Sequence, residues 1–160
     1  MHATRARYTF SFLRFLGRMW QVFSDGEDSG DVDGGVDAES TRRIAEAWMR
    51  AVTSCDVDAA LALSSPSIVY SNGGHLRLYE GHDGLRDIIE DVARMSGFLD
   101  VAVLSAVAQA GTVALRRLET YTLPEGGVEI PALAFVDVAD GVVTRWEDYK
   151  DLRTLNTISE

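Results

Sequence analysis

The chain has 160 residues, 46% of them apolar and 25% charged, enough for one domain with a core of its own. A net charge of −10 disfavours nucleic acid and anionic membranes as partners. The single cysteine, Cys55, excludes an intramolecular disulfide, fits a reducing cytoplasmic compartment and reads as a buried structural thiol.

Residues 1–24 carry Arg5, Arg7, Arg14 and Arg18 and no acid, whereas residues 25–40 carry seven acids and no base. The basic, aromatic stretch is too broken by Arg14 and Arg18 to be a signal-peptide core. It reads as a tail, with a surface-docking amphipathic helix or a region upstream of a start at Met19 as alternatives. The Gly- and Asp-rich stretch reads as a flexible linker, so residues 1–36 precede a domain spanning 37–156. Its Asp31, Asp33 and Gly34 brush against a calcium loop, but Ser40 stands where the loop needs a bidentate Glu. No apolar run reaches the roughly 18 residues that stable membrane insertion requires.

Ser40 is a plausible cap for a first helix whose apolar face is Ile44, Ala47, Trp48 and Ala51. Residues 55–65 read as a second helix with Pro66 beyond it. Residues 67–72 form a short strand closed by Asn72-Gly73-Gly74, and residues 75–80 return from it. A third helix covers residues 81–98, with Leu85, Ile88, Ile89 and Val92 at helical spacing. Four strands follow, over 99–108, 112–123, 128–138 and 142–151, joined at Ala110-Gly111, Pro124 to Gly127, and Asp140-Gly141. This order predicts an α+β fold: a curved, mixed, mostly antiparallel sheet wrapped around helices, cone-shaped with an internal pocket.

Alternation then sorts the polar residues. Leu115, Arg117, Glu119 and Tyr121 share one face of their strand, and Arg116, Leu118 and Thr120 the other. Trp146, Asp148 and Lys150 share a face, as do Ile68, Tyr70 and Asn72. If these faces line one pocket, it holds Arg117, Glu119, Asp148, Tyr70 and Asn72; the alternative is a solvated surface cluster. Lys150 must then sit at the pocket rim or escape as the strand ends, while Glu147 and Asp151 fall on the solvated side. Trp48, Leu63, Phe98, Val101, Leu133, Phe135 and Trp146 are candidates for an apolar pocket wall or for plain core. His2, His75 and His82 read as exposed.

Tyr70-Ser71-Asn72, the Gly111 that precedes Arg117-Leu118-Glu119, and the run from Asp140 to Arg153 around Trp146-Glu147-Asp148-Tyr149 together resemble the limonene-1,2-epoxide hydrolase family. The resemblance covers roughly residues 40–155. It implies the cone-shaped fold of the nuclear-transport-factor-like superfamily, a cofactor-free and metal-free site, a small lipophilic epoxide as substrate, and a homodimer. It also implies roles: Asp148 as general base, Arg117 as the bridge, and Tyr70 and Asn72 as holders of the attacking water. Glu119 falls where the family has Asp, the general acid, and adds one methylene. A displacement near 1 Å costs about a hundredfold in rate. The superfamily also contains isomerases, polyketide cyclases and non-catalytic binding modules, which stand as alternatives.

Epoxide opening needs water to lose a proton while the ring oxygen gains one. Two carboxyl groups, one ionised and one protonated, serve both needs. With Arg117 between them, retaining one proton leaves the triad neutral, and the two carboxyls titrate jointly.

Overall fold

The computed structural model describes residues 37–72, 77–95, 99–123 and 126–150. The expectations for residues 1–36, His75, Phe98 and Asp151 lie outside the described residues.

Helix α1 (Ala38–Thr53) is capped by Asp37, not Ser40. The Asp37 side chain accepts from the Ser40 backbone N–H at 2.8 Å, and a carboxylate at a helix start also favours the positive end of the dipole. Ala45, Trp48, Met49 and Val52 are buried, so the apolar stripe is turned slightly from the expected one. Thr41 is buried beneath the turn between the third and fourth strands, where it accepts from Gly111 N–H at 3.1 Å. This bond fixes where the helix begins against the sheet.

Helix α2 (Val57–Ala62) is a short piece capped by Asp56, whose carboxylate accepts from Ala59 N–H. Between the helices, Cys55 is exposed at a φ of 57°, so it is a turn residue and not the expected buried thiol. The tight reversal after α1 leaves it no core to enter.

Strand β1 (Ser64–Asn72) starts earlier than the sequence predicts and passes through Pro66. Its register against the last strand shifts between Ser64 and Val69, which accommodates a residue without a donor. Strand β2 (Arg77–Glu80) returns antiparallel to β1. Helix α3 (Gly81–Met95) buries Leu85, Ile88 and Ile89. Gly81 turns the chain into it at a φ of 66°, a conformation that strains any residue with a Cβ.

Strands β3 (Leu99–Gln109), β4 (Thr112–Leu123), β5 (Gly126–Ala139) and β6 (Val142–Lys150) complete the sheet. The order is β2-β1-β6-β5-β4-β3, and all neighbours are antiparallel except β1 and β6. This is the expected α+β fold, with a mixed sheet that stays open. The parallel pairing sets the first strand beside the last, with Tyr70 opposite Trp146 and Asn72 opposite Asp148. Trp48 ties the helices to this seam: its indole donates to Ser64 Oγ at 2.7 Å, and Ser64 Oγ donates to Ala60 O. Its ring stacks on Trp146 with centroids 4.7 Å apart. A buried aromatic pair of this kind contributes about 0.5–1.5 kcal/mol beyond its area.

Candidate active site

The inner face of β4 carries Val113, Leu115, Arg117, Glu119 and Tyr121, all buried. The inner face of β6 carries Trp146 and Asp148, also buried, followed by Lys150. Between these strands lies β5, whose inward residues here are Ala132 and Ala134. Ala132 is paired with both Arg117 and Lys150, and Ala134 with Asp148. Two strand spacings, about 9.6 Å, separate β4 from β6. Only methyl groups stand in that gap, so the long Arg117 side chain reaches across it.

The guanidinium joins both carboxylates. Arg117 Nη2 lies 2.6 Å from Asp148 Oδ1 and 3.3 Å from Glu119 Oε1. Asp148 Oδ1 also accepts from the Trp146 indole at 2.6 Å, and Oδ2 accepts from the Tyr70 hydroxyl at 2.9 Å. The Trp146 ring in turn lies 5.3 Å from the Arg117 guanidinium carbon, a cation–π contact. One indole thus serves the anion with its N–H and the cation with its face.

Lys150 is inside the site, not at its rim. Its ammonium lies 2.9 Å from Glu119 Oε2 and 3.7 Å from Asp148 Oδ2. Tyr121 donates to the same Glu119 oxygen at 2.7 Å. Two carboxylates therefore face two cations, and the set is neutral with both carboxyls ionised. With Lys150 beside Arg117, neutrality of the cluster does not require a retained proton.

The environment tunes these groups. Burial by itself would raise the Asp148 pKa. The charges of Arg117 and Lys150 and the bonds from Trp146 and Tyr70 outweigh it, holding the carboxyl below its ordinary value. Burial would lower the Lys150 pKa, but the negative charges of Asp148 and Glu119 raise it. Burial pushes the Tyr121 phenol up to about 12, and burial with the Asp148 charge pushes Tyr70 well above its usual value.

A cavity of about 40 Å³ opens on this cluster. Asp148, Glu119, Arg117 and Lys150 line its polar end, and Met49, Val52, Ile88, Val92 and Leu99 its apolar side. By the rule that one water needs about 10–15 Å³ of such space, it has room for a few waters. Asn72 stands opposite Asp148 in the register, and its Oδ1 is buried without a partner among the described residues.

The pocket-wall expectations divide. Trp48 and Trp146 line the cavity. Leu63 and Val101 are half-buried and pack against the core instead. Leu133 is 40% exposed and Phe135 meets Tyr149 edge-on, because both alternate to the outer face of β5. Glu147 is not solvated: only 8% is exposed, and its carboxylate lies 2.8 Å from Arg145 Nε. His82 is half-buried, its Nε2 3.4 Å from Ser64 O. Sequence reasoning left Tyr121 without a role, although its alternation with Arg117 and Glu119 was the signal that placed it.

Residues 45–146 match the SnoaL-like domain family. The chain belongs to that family. Among solved structures, this SnoaL-like domain is similar to an NTF2-like protein from Burkholderia xenovorans LB400, at 19% identity and a TM-score of 0.65. That match covers 79% of this chain and 100% of the other. An LEH-like epoxide hydrolase from M. tuberculosis is similar at 22% identity and a TM-score of 0.61, over 75% of this chain and 89% of that one. A putative ketosteroid isomerase from Kribbella flavida DSM 17836 is similar at 19% identity and a TM-score of 0.61, over 72% and 81%. At these identities the likeness is one of fold. No curated protein matches the chain.

Proposed function

We propose that this SnoaL-like domain hydrolyses a lipophilic epoxide to a vicinal diol, without a cofactor, using water activated by Asp148. The observation that carries this reading is the placement of Asp148: buried, lining the cavity, and held by Arg117 at 2.6 Å, Trp146 at 2.6 Å and Tyr70 at 2.9 Å. A buried carboxylate that lines a cavity with room for water is placed to act as a base. Tyr70 rests on Asp148 Oδ2; Asn72, opposite Asp148 in the register, carries a buried acceptor without a partner among the described residues but does not line the cavity. A water entering the cavity donates one hydrogen to Asp148 and the other to the Tyr70 oxygen, whose own hydrogen stays on Asp148 Oδ2. As it attacks the epoxide carbon, its proton passes to Asp148, and the opposite side of the cluster, around Glu119, supplies the proton to the ring oxygen. The cavity admits water as it stands, and a lipophilic substrate requires Met49, Val52, Ile88 and Val92 to move outward.

The test is diol formation from lipophilic epoxides by the wild type and by Asp148→Asn. Loss of the base should lower kcat by about a hundred- to ten-thousand-fold, measured on protein that a thermal melt shows to be folded. Equal rates would show that Asp148 is not the base.

One observation favours a second reading. Arg117 and Lys150 together form a concentrated positive centre beside the base. Such a pair suits stabilising an enolate while Asp148 removes a proton next to a carbonyl, as an isomerase or cyclase would. Turnover of a steroid or polyketide ketone, with no diol from any epoxide, would select it. Saturable binding of such ligands without turnover would instead mark a binding module.

A further inference from the structure

Glu119 Oε2 is already engaged as an acceptor by two donors. Oε2 takes hydrogen bonds from Tyr121 at 2.7 Å and Lys150 at 2.9 Å, and Oε1 lies 3.3 Å from Arg117 Nη2. A proton on Oε2 would confront two donors already bonded to it, and one on Oε1 would face the Arg117 cation 3.3 Å away. Lys150 is in the opposite position. An ammonium has three donors, and here only the 2.9 Å bond to Glu119 is short; Tyr121 and Asp148 stand at 3.5 and 3.7 Å. Lys150 also lines the cavity.

We propose that Lys150 Nζ, and not Glu119, delivers the proton to the oxygen released when the epoxide opens, and that Glu119 is the positioning residue that holds Lys150 in place. This rests on the epoxide-hydrolase reading above. The water oxygen forms a bond to the epoxide carbon while its proton goes to Asp148. The C–O bond breaks, and its electron pair stays on the ring oxygen, which takes a proton from Nζ. Lys150 is left as a neutral amine and Asp148 as an acid. Transfer of the Asp148 proton to Nζ, relayed by one water across the 3.7 Å between them, restores both groups. The net change is epoxide plus water to diol. The raised proton affinity of Lys150 is no obstacle, because an alkoxide is a stronger base than an amine.

The test compares Lys150→Met, Lys150→Arg and Glu119→Gln on epoxyhexane and on its analogue carrying a trifluoromethyl group beside the ring. The trifluoromethyl group makes the departing oxygen less basic and therefore less dependent on an acid. Lys150→Met should lose about a hundred- to ten-thousand-fold in kcat on epoxyhexane and markedly less on the fluorinated substrate. Lys150→Arg, which keeps the charge and the Glu119 contact, should show the same substrate-dependent loss, because a guanidinium does not give up its proton. It guards against misfolding of the Met variant, and thermal melts identify any that occurs. Glu119→Gln, which acts only through Lys150, should show the same substrate-dependent pattern with a smaller loss than Lys150→Met. An equal loss on both substrates for the two Lys150 variants would overturn the proposal while leaving the hydrolase reading intact. So would the substrate-dependent pattern appearing in Glu119→Gln but not in the Lys150 variants. Absence of diol from the wild type would remove the parent reading, and this one with it.

Discussion

Arg117 Nη2 lies 2.6 Å from Asp148 Oδ1, although the two residues sit on strands separated by β5. The pair is buried, so each charge depends on the other. Removing one member leaves an uncompensated buried charge, at a cost of about 3–5 kcal/mol. Arg117→Ala should therefore lower the unfolding free energy by about that much, read from urea denaturation. The double variant Arg117→Met/Asp148→Asn removes one charge of each sign and leaves Lys150 with Glu119. It should be more stable than Arg117→Ala. If the double variant is the less stable of the two, the bridge is not what holds the site.

Ala134 is paired with Asp148 and stands beneath the bridge. Ala134→Leu would fill the gap that Arg117 crosses. Overpacking should cost about 1–3 kcal/mol in stability, and the displaced guanidinium should lower kcat more than it raises KM. Wild-type turnover in Ala134→Leu would show that the bridge tolerates a side chain beneath it.

The pKa shifts set a pH window. The folded Asp148 pKa lies below its unfolded value, so its stabilising contribution is full above the unfolded Asp range, near pH 3.9, and is lost as pH falls through the lower folded value. Lys150 is raised, so its contribution is full below the unfolded Lys pKa, near 10.4, and is lost as pH rises through the higher folded value. Tyr121 acts in the same direction: its contribution is lost as pH rises from near 10 through about 12. Stability and activity should both form a broad plateau between these limits. An activity midpoint near neutrality would mean that another group controls the reaction.

Trp146→Phe keeps an aromatic ring against Trp48 and Arg117 but removes the N–H that reaches Asp148 at 2.6 Å. A hydrogen bond to a charged group contributes about 1.5–3 kcal/mol. Stability should fall by that order, and the acid limb of the pH–rate profile should move upward because the Asp148 carboxylate loses a donor. An unmoved limb would mean that the indole does not tune the base.

Much of the fold was legible because alternation is a strong signal. The faces of β4 and β6 were sorted correctly from Arg117, Glu119, Trp146 and Asp148 alone. Leu133 and Phe135 were misplaced where apolarity was read ahead of alternation; the inward positions of β5 are the small residues Ala132 and Ala134. Glu147 was misjudged for the related reason that an outward face is not always a wet one, since Arg145 packs against it. The position of Lys150 depended on Glu119 being there to receive it, a contact between residues 31 apart that no local pattern encodes. Asp37 in place of Ser40 was a choice between two good caps, which geometry alone decides.

Trp48 and Trp146 stack 4.7 Å apart, and the second is bonded directly to Asp148. Transition dipoles of indoles this close couple to one another. The domain thus contains its own optical reporter, whose near-ultraviolet signal and emission follow the orientation of one ring and the charge beside it. Changes at Asp148 can be watched in real time without a dye, a label or a turnover assay.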